Sequence, residues 1–317
     1  MTIKTLILCC IGLALFWALV LMRARSQEEQ AEARFPAQGQ LLQVGDAQVH
    51  AVVMGNGPDL VLIHGASGNT RDMTFSLAPR LAERYRVFVL DRPGLGYTER
   101  INSSGATLRQ QAELLMRAAG QLGARKPIVL GHSYGGAVAL AWAAYQPDSL
   151  SALVPVSAPS NPWTTPLDPL YRVTSSWWGS TFVVPLITAF VGETRVQQAI
   201  SAVFEPQSPP DGYSDHFGAP LSLRRLSMRA NADQRANLLD EIKAQVADYA
   251  RISVPTEIVH GTADDTVGLP IHSEKLVAQI QGAFLTRLEG IGHMPHHVAE
   301  DEIIAAIDRA AMRAGLR

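Results

Sequence analysis

Hydrophobic and polar positions follow two different periods along this chain, and one stretch has no period at all. That stretch comes first. Thr5 to Met22, TLILCCIGLALFWALVLM, runs 18 residues without a charge. As a helix it would extend about 27 Å, close to the ~30 Å hydrocarbon core of a bilayer, so residues 1–25 are expected to form a membrane anchor. A cleaved signal peptide is the rival reading. Its apolar region is usually ~7–15 residues, with an A-x-A-like site soon after. Here Arg23 and Arg25 follow the run directly, and the nearest such site is Ala31-Glu32-Ala33. The residues before Cys9, Leu6-Ile7-Leu8, lack the small side chain expected before a lipidated cysteine. Lys4 on one flank against Arg23, Arg25 and Arg34 on the other would face the following domain to the cytoplasm by the positive-inside rule, but a difference of two charges leaves the side of the membrane open. Residues 26–39, SQEEQAEARFPAQG, are polar and close on Pro and Gly, which reads as a linker.

From about Gln40 short apolar runs alternate with stretches of helical spacing. Leu41–Val44 and Gln48–Met54 read as an antiparallel pair joined through Gly45-Asp46. Leu60–His64, Arg86–Leu90, Ile128–Leu130, Leu150–Val156, Pro255–Gly261 and Phe284–Leu288 read as further strands. Met73–Arg84, Leu108–Leu122, Gly135–Tyr145 and Ala299–Ala314 carry helical spacing. This alternation predicts an α/β fold, a mostly parallel twisted sheet covered by helices on both faces. The pattern lapses over residues 160–250. The core is therefore expected over 40–159 and 251–317, interrupted by a helical lid. In such sheets sites form at the C-terminal ends of the strands, here at His64, Asp91, Ser133, Gly261 and Gly290.

Composition changes the picture only a little. The chain has 317 residues, 47% of them hydrophobic, and a formal net charge of −2. That supports a large core and, without a basic block, argues against nucleic acid as a partner. The two cysteines, Cys9 and Cys10, both lie in the apolar leader, so the predicted domain has no thiol to cross-link.

One segment concentrates small residues around a single hydroxyl: Gly131-His132-Ser133-Tyr134-Gly135, followed by Gly136. A strand runs into it and a helix runs out, with almost nothing left to turn between them. So sharp a turn forces its apex residue toward positive φ, at a cost of about 1–3 kcal/mol for a residue with a side chain. Gly131 and Gly135 remove side chains that would collide across it. The serine is left exposed beside backbone N–H groups that have no helical partner. This is the G-x-S-x-G nucleophile elbow in the strand–turn–helix context it requires; the competing reading is a glycine-rich turn that only turns.

A serine hydroxyl needs a base, a group orienting that base, and donors for the oxyanion. His293, in the loop after the last strand, is placed to reach the elbow. His296 and His297 are its rivals, and His132 is expected to point to the other side of the turn. Asp264, in Gly261-Thr262-Ala263-Asp264, is the expected acid. Its neighbour Asp265 reads as a helix cap or loop hydrogen-bonder, and Asp91 as the fixer of a Pro-Gly turn. The order Ser133, Asp264, His293 is the order of the α/β-hydrolase triad. The backbone N–H of Tyr134 and that of Ala66, in the loop after the Leu60 strand, are the expected oxyanion hole, with His64 structural.

With these motifs in hand, HGASG (64–68), DRPGLGYTE (91–99), GHSYGG (131–136), GTADDTV (261–267) and GIGHMPH (290–296), the chain resembles the α/β-hydrolase superfamily of esterases, epoxide hydrolases and haloperoxidase-like enzymes over about residues 40–312. Epoxide hydrolases and haloalkane dehalogenases carry Asp at the elbow, so Ser133 argues against both. Gly268-Leu269-Pro270 delays the Pro that the family usually places after the Val of the acid loop.

The resemblance implies a serine hydrolase without cofactor or metal, cleaving carboxylic esters with small-to-medium apolar acyl groups through an acyl-enzyme. Cofactor-free perhydrolysis (haloperoxidase activity) or carbon–carbon bond hydrolysis would use the same triad, and a membrane-tethered binding protein would need none of it. The resemblance also makes residues 160–250 a lid over the site. Trp163, Trp177, Trp178, Phe182, Phe190 and Phe204 lie in it; they either pack the lid onto the core or line an acyl pocket.

Overall fold

The computed structural model describes residues 2–317. Eight strands build one sheet: β1 (Gln40–Val44), β2 (Ala47–Met54), β3 (Asp59–Ile63), β4 (Arg86–Leu90), β5 (Ile128–His132), β6 (Ala152–Val156), β7 (Glu257–Gly261) and β8 (Phe284–Leu288). Their order is β1-β2-β4-β3-β5-β6-β7-β8. The β1–β2 and β2–β4 pairs are antiparallel and every other pair is parallel. The expected hairpin is present, with Gly45 at φ +64° in its turn.

The central strands are buried on both faces, which is why they read as continuous apolar runs. Alternate residues feed different cores: Val61 and Ile63 of β3 pack with Phe88, Val129 and Trp142, while Leu60 and Leu62 pack with Leu77, Val87, Leu130 and Ile307. Helix Tyr134–Tyr145 is buried over nearly all its length; its alanines let it lie close to the sheet. Helix Leu108–Gln121 starts at a capping box in which Thr107 and Gln110 satisfy each other's backbone N–H groups. The span expected as one helix over Met73–Arg84 is instead two short helices, Thr70–Thr74 and Leu77–Leu81, broken at Phe75-Ser76.

Between β6 and β7 the chain forms a run of helices, among them Gly179–Val183 continuing as Val184–Phe190, then Glu193–Phe204, Tyr213–Phe217 and the long Arg225–Gln245.

The N-terminal helix, here α1, runs from Ile3 to Arg34 without a break. It is the one helix among the described residues long and apolar enough to cross a membrane, and its apolar window is only 6% buried. Residues 26–34, read from their polarity as linker, are therefore helical, and only 35–39 are not. The reason is local and tertiary at once. Glu, Gln, Ala and Arg are strong helix formers, and Arg25 pairs with Glu29 one turn on at 2.8 Å. The helix then docks on the insertion. Glu28 takes both guanidinium nitrogens Nε and Nη2 of Arg225, at 2.8 and 2.7 Å, and Glu32 pairs with Arg224 at 2.8 Å. Val20 and Ala24 bury against Ala189, and Ala31 and Phe35 against Leu221.

Candidate active site

Ser133 follows the last residue of β5 and sits at φ +51°, ψ −122°, the strained conformation that the sharp turn demands. Its glycine neighbours are there for lack of room. A Cβ on Gly131 would lie 2.1 Å from the Gly135 carbonyl oxygen, and one on Gly135 would lie 2.3 Å from that of Ile63. Backbone bonds lock the apex from both sides: Ser133 N donates to Val156 O at 2.9 Å, and Gly136 N donates to Ser133 O at 2.8 Å.

The turn holds the hydroxyl against an imidazole. Ser133 Oγ lies 2.9 Å from His293 Nε2, and His293 Nδ1 lies 2.8 Å from Asp264 Oδ2. A carboxylate only accepts, so Nδ1 carries the proton toward Asp264 and Nε2 is left to accept from the serine. Asp264 is buried and its oxygens are filled. Oδ1 takes the N–H groups of Thr266 and Val267, at 3.0 and 2.9 Å. Oδ2 also faces His260 Nε2 at 3.1 Å. Burial would raise the Asp264 carboxyl, but the donors from His260, His293 and Val267 outweigh it and hold it below the usual carboxylate range. His260 is in turn set by Ser273 and by the Val267 carbonyl, at 2.6 and 2.7 Å. Its supporting role was not read from the sequence; its position at the end of β7, four residues before Asp264, was the available signal. Asp265 is exposed and turned away.

The loop after β3 closes on the serine. A Cβ on Gly65 would stand 3.2 Å from that of Ser133. Among the described residues no protein acceptor takes the amide hydrogens of Ala66 or Tyr134. Both belong to the segments that flank Ser133. Ser67, at φ +55°, is fixed by Asn231 of the insertion.

The model of the alpha/beta hydrolase fold matches residues 58–300. The chain belongs to the α/β-hydrolase family. Identity to individual relatives is modest. A 2-hydroxy-6-oxononadienedioate/2-hydroxy-6-oxononatrienedioate hydrolase of Klebsiella pneumoniae is 28% identical over 86% of this chain and 93% of its own. A pimeloyl-[acyl-carrier protein] methyl ester esterase of Vibrio vulnificus is 27% identical over 77% and 95%. The polyketide synthase ThaQ of Burkholderia thailandensis is 30% identical over 86% of this chain but only 13% of its own length. Among solved structures, an α/β-hydrolase-fold protein from Burkholderia ambifaria superposes with a TM-score of 0.69 at 25% identity, covering 85% of this chain and 99% of that one. The structure of a membrane phospholipase A superposes with a TM-score of 0.63 at 20% identity over 97% of both chains, a likeness of fold.

In this α/β-hydrolase the rival histidines have other work. His132 meets the backbone carbonyl of His293 at 2.8 Å. His296 and His297 turn to Asp72, at 3.3 and 2.8 Å, and Tyr213 of the insertion donates to the same carboxylate at 2.8 Å. Burial would raise Asp72, but His296 and His297 hold it well below the usual range. Asp72 thus ties three segments together: the helix after the β3 loop, the His293 loop and the insertion. Ligand-capable atoms of Asp72, His132 and His296 lie within 4.8 Å of one another. The Asp72 oxygens are taken by donors and the His132 and His296 rings pack at 4.0 Å, while Nδ1 of each of these two rings is buried without a hydrogen-bond partner among the described residues. Asp91 accepts from the amides of Thr70 and Tyr97 and meets His50, fixing more than its own turn. Arg92, wholly buried, holds the carbonyls of His64 and Gly65 and lies 4.2 Å from the Tyr134 ring. Burial lowers its pKa to about 10, which leaves it charged at neutral pH. Neither Asp72 nor Arg92 stood out in the sequence.

The insertion's aromatics divide. Phe204 is buried beside Tyr213 and His297, and Trp163 packs on His272. Trp177, Trp178, Phe182 and Phe190 are by contrast 78, 51, 45 and 56% exposed.

Proposed function

We propose that this protein is a serine hydrolase of carboxylic esters, held at a membrane by α1. The observation that carries the reading is the hydrogen-bonded series Ser133–His293–Asp264, with the serine strained outward at the head of a helix. In the proposed cycle Ser133 Oγ attacks the ester carbonyl while His293 Nε2 takes its proton. The N–H groups of Ala66 and Tyr134 hold the oxyanion. The intermediate collapses, His293 returns the proton to the departing alcohol, and an acyl-enzyme remains. Water then attacks with His293 as base, releasing the acid and restoring the serine. Asp264 keeps the imidazole in the right tautomer and stabilises it when charged.

The methyl ester esterase and the 2-hydroxy-6-oxononadienedioate/2-hydroxy-6-oxononatrienedioate hydrolase among the relatives support a hydrolase built on this frame. Carbon–carbon bond hydrolysis, which would use the same triad, is the second reading. Esters of apolar acyl chains are the favoured substrates, since the bilayer that α1 would enter is their natural source. Labelling of the wild-type protein, but not of Ser133→Ala, by a fluorophosphonate probe tests the nucleophile; a wild-type protein that stays unlabelled would count against the whole scheme. Rates on p-nitrophenyl esters against vinylogous 1,5-diketones separate the two readings.

A further inference from the structure

The four exposed aromatics are not scattered. They lie in a segment, residues 173–192, that contains no charged residue. Monomeric soluble proteins seldom present such a group to water. The segment lies against the membrane end of α1. Phe182 packs on Trp17 with ring centroids 5.4 Å apart, and Trp177 packs on Phe182 at 6.3 Å. Nearly two turns further along, Arg23 donates to the carbonyl of Ala189 at 2.8 Å and lies 5.3 Å from the Phe190 ring.

These contacts fix a depth. Arg23 is the first charge after the apolar run, and Trp17 lies six residues earlier, about 9 Å back along the helix axis. If Arg23 marks the headgroups, Phe182 stands about 9 Å toward the hydrocarbon, within the ~5–10 Å range of helices that lie in a membrane interface. Arg172 and, past Glu193, Arg195 flank the segment in sequence and are exposed, as is Arg25 two residues beyond Arg23; Arg229 holds the carbonyl of Ser180. Tryptophan beside arginine is the composition of an interfacial belt facing anionic lipid.

We propose that Trp177, Trp178, Phe182 and Phe190 sit in the headgroup–acyl boundary of the bilayer that α1 spans, and that the substrates are esters drawn from that bilayer. This rests on the anchor and ester-hydrolase readings above and adds a second point of membrane contact, on the lid itself. The contact is wired to the site. Helix Arg225–Gln245 holds the aromatic segment through Arg229 and, two residues on, holds Ser67 through Asn231. Lipid engaging the aromatic face therefore bears on the same helix that fixes the loop beside Ser133.

The test uses the full chain in vesicles of phosphatidylethanolamine and phosphatidylglycerol carrying nitroxide-labelled lipids. Cys9 and Cys10 are replaced by alanine, and the single variants Leu13→Cys, Trp178→Cys, Phe182→Cys and Lys126→Cys each carry an environment-sensitive dye. The expected result is quenching at 178 and 182 by nitroxides near the headgroup, quenching at 13 by nitroxides near the chain ends, and none at 126. Quenching at 13 without quenching at 178 and 182 overturns the inference and leaves the anchor standing. No quenching at 13 overturns the anchor and the inference with it. Disulfide cross-linking of the Trp178→Cys variant between two copies would assign the face to self-association and equally overturn it. In the second arm, Trp177→Glu with Trp178→Glu should lower kcat/KM for a vesicle-embedded fluorogenic ester about tenfold or more, with hydrolysis of p-nitrophenyl butyrate unchanged. Equal losses on both substrates would defeat the inference, whereas a parent protein inactive on both would defeat the esterase reading.

Discussion

Asn231 grips Ser67 with both ends of its amide: Ser67 N donates to Oδ1 at 2.8 Å, and Nδ2 donates to the Ser67 hydroxyl at 2.9 Å. Ser67 has a side chain and sits at φ +55°, so its backbone needs an external brace. The residue before it, Ala66, supplies one of the two proposed oxyanion donors. Asn231→Ala should therefore lower kcat with little change in KM. The ceiling is the ~10²–10³ seen when one such donor is lost. Steady-state kinetics on a soluble ester decides it; a rise in KM alone would mean that Asn231 serves substrate binding instead.

Asp264→Asn should lower kcat by about 10⁴, because an amide in that place favours the wrong imidazole tautomer. Asp265→Asn, at an exposed neighbour, should change it less than about threefold. Kinetics on the two purified variants makes the comparison, and a reversed ranking would refute the assignment of the acid.

Asp72 accepts from Tyr213, His296 and His297 in a buried setting, and replacing it leaves donors without a partner. Asp72→Asn should cost about 2–4 kcal/mol of stability. Tyr213→Phe, which removes one donor and leaves the carboxylate the other two, should cost less. Urea denaturation of both gives the order.

Stability should fall with acid earlier than carboxylates alone would make it. Burial holds His64, His272 and His296 at pKa values of about 4, below the ordinary histidine value. Between about pH 6.5 and 4 the unfolded chain takes up protons that the folded chain refuses. That part of the stability is complete above pH 6.5 and is lost as pH drops toward 4, by about 1.4 kcal/mol per pH unit for each histidine. His50 works the other way: burial opposes its charge, but Asp91 raises its pKa. Burial also lowers His132 and His216, so five histidines outweigh one. Urea midpoints at pH 7, 6 and 5 should decline steadily; a flat series above pH 5 would show that these imidazoles are charged in the folded protein.

Much of this arrangement was legible because it is local. The elbow needs small residues at fixed places, and Gly131 and Gly135 stand where any Cβ would strike a backbone carbonyl. The hairpin, the strands and the meeting of Ser133, His293 and Asp264 follow from period and order. What escaped notice depends on distant partners. A polar stretch such as residues 26–34 has the same composition whether it is a linker or a docked helix. Only Arg224 and Arg225, almost two hundred positions away, make the difference. Asp72 and Arg92 hide for the same reason, since charged residues in a sequence look solvated until their neighbours are known. The uncharged aromatic segment is ambiguous in the opposite sense, because apolarity signals removal from water and says nothing about which apolar medium receives it.

α1 is unbroken from the apolar run to Arg34, and its polar half is clamped by Glu28 and Glu32. Residue count in that half therefore sets two things at once. Each residue contributes about 1.5 Å of stand-off and about 100° of heading. Adding one residue near Ser26 would swing the clamp out of phase with Arg224 and Arg225, while adding seven would nearly restore the phase and lift the domain about 10 Å. With α1 in the bilayer as proposed, the helix would be a keyed spindle, cut to present one side of the hydrolase to the membrane at one height.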